Sequence, residues 1–162
     1  MGQPVEPARK RLTQSAQETE ADGARWARVR PNAADAFATI QLSGDLGAGK
    51  TTWARGFLGA SGVRGSVKSP TYTLVELYEL GAQTLVHMDL YRLRDPSELE
   101  HLGITDWAAP GYLWLIEWPE RGRGRLPIAD LEVRFTARAR GHEITISAAT
   151  LLGRDWCARA EA

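Results

Sequence analysis

Residues 44–52 read GDLGAGKTT, and the run 36–42 (AFATIQL) leads into them through Ser43. Residues 44–51 fill the pattern G-x-x-x-x-G-K-[ST]. The apolar run with its β-branched residues predicts a short buried strand. Beyond the glycines, Trp53, Phe57 and Leu58 recur at helical spacing as far as Gly59, so a helix follows. In that order the residue types have a chemical reason. Glycines allow left-handed backbone and close approach to a phosphate chain. Successive N–H groups then point inward, and the helix starting near Lys50 adds its positive end. Lys50 supplies a point charge to the β- and γ-phosphates, and Thr51 one oxygen to Mg²⁺. A glycine-rich turn matching the pattern by chance in a chain of this length is expected on the order of one time in a few hundred. Lys50 is also one of only 3 lysines against 17 arginines.

Outward from this unit, the 162 residues suffice for one domain with its own core. Hydrophobic residues at 43% and charged residues at 25% exclude a disordered chain, and no apolar run approaches bilayer length. The 20 basic residues balance 20 acidic ones, which disfavours a dedicated grip on nucleic acid. Cys157, the single cysteine, excludes an internal disulfide, and no Cys/His cluster has zinc spacing. The first thirty residues lack the apolar stretch of a signal peptide, and Glu6 stands where myristoylation requires Ser or Thr, so a cytoplasmic location is expected. Residues 1–12 have no periodicity and read as a flexible extension to a single domain over 13–162. Ser15 with Glu18 has capping-box spacing for a helix to about Arg30. Stretches 72–80 and 84–90 suggest one hairpin, and 131–137 and 143–148 around Gly141 a second. Residues 96–103 hold a short helix, 112–116 (YLWLI) a strand buried on both faces, and 151–160 a last helix. One strand–loop–helix unit beside two hairpins implies an α/β fold with a mixed sheet.

A phosphate loop with Mg²⁺ needs carboxylates at the carboxyl ends of neighbouring strands. Glu117 directly follows 112–116, and Asp89 ends the run 84–88. One would hold the metal while the other orients water or completes the metal shell; spacing leaves the division open. His87 reads as a structural strand residue. Arg92 stands equally well for a surface ion pair or a phosphate contact.

With these residues in place, GDLGAGKTT at 44–52, SPTYTLV at 69–75, HMDLYRL at 87–93 and EWP at 117–119 together resemble the TsaE family of bacterial tRNA threonylcarbamoyladenosine synthesis. The resemblance runs from about Ser15 to the final strands. It implies a three-layer α/β/α P-loop NTPase fold and an ATPase that binds ATP with Mg²⁺ and hydrolyses it slowly. It also implies TsaB-like and TsaD-like partners, whose threonylcarbamoyl transfer the hydrolysis lets turn over. The family's pattern maps nucleotide binding onto Asp45, Leu46, Gly47, Ala48, Gly49, Lys50, Thr51 and Thr52, with Lys50, Asp89 and Glu117 as catalytic residues. Thr51 and Asp89 match the magnesium side and Glu117 the second acid, itself a candidate metal ligand. Ser69, Pro70 and Thr71 match a nucleotide-sensing loop, and Thr19 a short stretch on the adenine side. Trp53 stands where the family commonly has Phe, and Asp22 where it often has Leu. A small-molecule or nucleotide kinase shares the loop but needs an acceptor pocket and an Arg-bearing lid, for which no long insertion exists. A non-hydrolysing nucleotide-dependent binding module is opposed by the two acids. Arg121, Arg123 and Arg125 read as a solvated loop.

Overall fold

The strand, loop and helix expected around the glycines are present, and a sheet extends from them on both sides. The computed structural model describes residues 9–32, 34–70 and 72–162. In chain order the elements are β1 (Arg9–Thr13), α1 (Ala16–Arg28), β2 (Ala38–Gly44), α2 (Lys50–Ser61), β3 (Val75–Leu80), β4 (Gln83–Asp89), α3 (Glu98–His101), β5 (Tyr112–Glu117), β6 (Leu131–Ala137), β7 (His142–Ala148) and α4 (Leu151–Glu161). Single 3-10 turns occupy Ile104–Trp107 and Pro119–Gly122. Ser15 caps α1 by accepting from the Glu18 N–H, and Glu18 reaches back to the Gln14 N–H.

The seven strands lie in the order β1-β7-β6-β2-β5-β4-β3. β2 runs parallel to β5 and β6, and β4 parallel to β5, whereas β3, β7 and β1 pair antiparallel. Register sets Leu42 beside Glu117 and Glu117 beside Asp89, so the glycine loop and both acids emerge at one end of the parallel strands. Ligands bind at that end in open α/β sheets.

Two expectations are corrected. Residues 9–12 are not a loose tail: Arg9–Thr13 is an edge strand paired with β7, while residues 1–8 lie outside the described residues. Its middle residues Lys10, Arg11 and Leu12 all face water and the first two are basic, so no apolar alternation announces it. The strand before the glycines also runs two residues later than 36–42, because Ser43 and Gly44 still pair with Arg134 and Phe135.

Strand alternation splits the core. Leu85, Leu113, Leu115, Ile40 and Leu42 pack under α1, α2 and α4, with Trp53, Phe57 and Trp156 fully buried among them. Val86, Met88, Trp114 and Ile116 point the other way, under Leu90, Leu93, α3 and the first 3-10 turn. That second layer is thin and stops short of β6 and β7. The polar residues Gln41, Ser43, Glu132, Arg134, Thr145 and Ser147 there line an open groove of about 620 Å³. α1 and α2 cross at glycine, where a Cβ on Gly56 would stand 2.0 Å from the Glu20 carbonyl oxygen.

Next to the crossing, buried Trp53 Nε1 donates to Asp22 Oδ2 at 2.8 Å. Burial pushes the Asp22 carboxyl above its ordinary range, against the Trp53 hydrogen bond and the Arg11 and Arg25 charges. The folded state therefore binds the Asp22 proton more tightly than the unfolded chain. This group's contribution declines as pH rises from the ordinary carboxylate range through the raised value. Asp22→Asn, compared with the parent by urea denaturation across that range, should remove this part of the decline. Asp22→Leu should cost about 1–3 kcal/mol at neutral pH, because Trp53 Nε1 is left without an acceptor.

Candidate functional site

The site begins where β2 runs out. Gly47 and Gly49 adopt φ of +75° and +107°, backbone that a Cβ would strain. No side chain caps α2 at Gly49, so the first amides of this twelve-residue helix keep their anion-binding capacity. Lys50 is only 5% exposed. Its Nζ donates to the carbonyl oxygens of Gly44 and, at 2.8 Å, Asp45, and lies 4.0 Å from the centre of the Trp118 ring. Burial draws the ammonium below its ordinary pKa, opposed by the charges of Glu117, Glu120, Asp89 and Asp45.

The acids sit side by side with different partners. Glu117 is 1% exposed, and both of its oxygens are engaged. Oε1 accepts from Thr51 Oγ1 at 2.7 Å, and Oε2 lies 2.7 Å from His87 Nε2. Asp89 accepts from Ser69 Oγ and, at 3.0 Å, from the Tyr91 N–H. Thr51 thus pairs with Glu117, and Asp89 is tied to the 69–71 loop. Pro70 is buried and its carbonyl accepts from the Leu74 N–H, while Thr71 lies outside the described residues. Among the described residues, the non-glycine residues with positive φ are Leu74 (+63°) and Trp118 (+58°). Both flank the acids, since the Leu74 carbonyl accepts the Asp89 N–H and Trp118 follows Glu117. Left-handed backbone at bulky residues marks a site held by its surroundings.

These residues line a cleft of about 380 Å³, walled by Leu46, Ala48, Thr52, Ser69, Tyr91 and Arg92 beside those already named. A second slot of about 230 Å³ adjoins it through Gly47, Gly49 and Thr52. Thr19 stands in its wall, its Oγ1 2.9 Å from Thr13 Oγ1, and a Cβ on Gly49 would come within 3.5 Å of the Thr19 methyl. Gln14, Gly141 and His142 complete the slot and were not singled out in the sequence. The turn signal at Gly141 was visible; that the hairpin ends beside the glycine loop follows from the parallel β2–β6 pairing, and that Gln14 and Thr19 meet it there from the β1–β7 pairing. His87, read as structural, is in contact with Glu117.

Among the described residues no group of three or more His, Cys, Asp or Glu side chains is disposed to hold a metal ion. A divalent cation here would draw on Thr51 and on one or both of the adjacent acids, Glu117 and Asp89, together with phosphate oxygens and water, which is how Mg²⁺ is usually bound. The arginines divide: Arg125 pairs with Glu100, Arg121 lies over the Tyr91 ring at 5.6 Å, and Arg123 faces the open groove. Cys157 is buried in α4, away from the cleft.

Comparison with known proteins agrees with this architecture. A Haemophilus influenzae protein named tRNA threonylcarbamoyladenosine biosynthesis protein TsaE is 49% identical over 116 residues, 72% of this chain and 73% of that protein. A Treponema pallidum protein of the same name is 33% identical over 137 residues, 84% and 98% of the two chains. The crystal structure of YdiB from Bacillus subtilis superposes with a TM-score of 0.78 at 27% identity, covering 98% of this chain and 97% of that one. The family described as threonylcarbamoyl adenosine biosynthesis protein TsaE matches residues 13–144, and the chain belongs to it.

Proposed function

We propose that the chain serves tRNA threonylcarbamoyladenosine biosynthesis as a Mg²⁺-dependent ATPase of slow turnover, working in the cytoplasm with TsaB-like and TsaD-like partners. The observation that carries the chemistry is the linked set Lys50, Thr51 and Glu117 at the start of α2. A nearly buried ammonium is held by loop carbonyls, beside a hydroxyl already donating to a buried carboxylate. Family membership carries the pathway. No helix among the described residues is long and apolar enough to cross a membrane.

In this reading the loop amides and the α2 terminus bind the β- and γ-phosphates. Lys50 exchanges its carbonyl partners for phosphate oxygens, an ammonium bond to an anion being stronger than one to a neutral carbonyl. Thr51 keeps its proton on Glu117 and presents a lone pair outward, so we assign Thr51 and Glu117 to the metal side. When bound, Mg²⁺ neutralises phosphate charge in the transition state. Asp89, oriented by Ser69 and the Tyr91 amide, faces the terminal phosphate and orients the attacking water. The slot between Thr19 and His142 takes the adenine, with the imidazole stacking on the purine.

Lys50→Ala should weaken ATP binding on the order of 100-fold by calorimetry, as loss of a charge-assisted bond predicts. Glu117→Gln should bind ATP within a few-fold of the parent yet hydrolyse it on the order of 10²-fold more slowly. Phosphate release without any acceptor is the assay, and rapid phosphorylation of an added nucleoside with little release would overturn the reading. His142→Ala should raise KM roughly 3- to 10-fold with kcat unchanged, the pattern of an interaction made equally in ground and transition states.

A further inference from the structure

His87 is fully buried on β4, facing the α2 side of the sheet between Leu85 and Asp89. Its cross-strand partner is Leu115, and Glu117 stands diagonally beyond on the same face, within reach of a long side chain. Nε2 lies 2.7 Å from Glu117 Oε2, while Nδ1 is buried and has no hydrogen-bond partner among the described residues. A carboxylate has no proton to give, so Nε2–H is the donor. Leaving a ring nitrogen bare in a dry core costs free energy that an aliphatic residue at 87 would avoid. The ring's one polar contact is therefore the reason for its presence, and that contact is to Glu117.

We propose that His87 is a positioning residue for Glu117. By binding Oε2 it fixes the carboxyl's rotation and leaves Oε1 toward Thr51, the oxygen that keeps Thr51 turned for the metal. This rests on the assignment of Glu117 to the metal side. A hydrogen-bonding partner behind a metal-side residue typically matters 10- to 100-fold when removed.

The test uses His87→Asn, whose amide stops one bond short of the Nε2 level, and His87→Gln, whose amide nitrogen lies as many bonds from Cβ as Nε2. His87→Asn should lower kcat about 10-fold with KM within about twofold, and His87→Gln should recover most of it. His87→Asn combined with Glu117→Gln should be no slower than Glu117→Gln alone, because the histidine acts only through the acid. Independently of turnover, the Mg²⁺ concentration that half-saturates the complex with a non-hydrolysable ATP analogue should rise several-fold in His87→Asn and return toward the parent's in His87→Gln, with analogue affinity at saturating Mg²⁺ within a few-fold in all three. Should the Asn protein fail to fold, His87→Met, with no N–H and similar bulk, replaces it with the same expectations. The proposal falls if the Asn or Met protein keeps the parent's Mg²⁺ response, if folded His87→Gln is as impaired as His87→Asn, or if the double variant's losses multiply. A parent that releases no phosphate refutes the ATPase assignment, and the analogue-binding comparison still decides the role of His87.

Discussion

A lysine ammonium withdrawn from water must find oxygen on more than one side, and much of the site is organised around that need. At Lys50 the loop supplies two carbonyls, β5 and β4 bring carboxylates to the same end of the sheet, and the Trp118 ring closes the remaining approach. The opposing influences on its pKa, burial against four acidic neighbours, express one balance: the cation is affordable there only because negative charge surrounds it. In the proposed reading an incoming polyanion would enter a field already neutralised from below, and the phosphate end would depend on the glycine loop and on the parallel register of β2, β5 and β4 together.

Much of this was legible because its signals are local. The pattern at 44–51, the apolar runs on either side of it and an acid at the end of β4 and of β5 are read within windows of ten residues. What stayed hidden depends on pairing between distant segments. β1 carries its basic residues on an edge where no alternation is required, so Arg9, Lys10 and Arg11 read as a tail. The slot wall joins Gln14 and Thr19 to Gly141 and His142 through the β1–β7 ladder. The partners of the acids were equally out of reach: spacing cannot tell that Glu117 takes Thr51 and His87 while Asp89 takes Ser69.

Asp22 and Trp53 teach a related lesson. Read singly, one adds a charge to a helix face and the other bulk to a core. In three dimensions they are one interaction, an indole N–H and the carboxylate that accepts it, at the crossing where Gly23 and Gly56 bring two helices into backbone contact. The larger ring leaves a buried donor that Leu could not satisfy. Pairing of this kind is visible only when both partners are known to touch.

The left-handed backbone of Leu74 and Trp118 has a consequence for how the protein can evolve or be engineered. Each costs on the order of 1–3 kcal/mol relative to relaxed geometry, and each is fixed next to an acid. Glycine at either position would relieve the folded chain, but it would also free the carbonyl that holds β4 in register or the ring that covers Lys50. At these two positions robustness and competence are traded against each other, so variants selected for heat tolerance alone would be expected to drift toward a sturdier protein with a slacker grip.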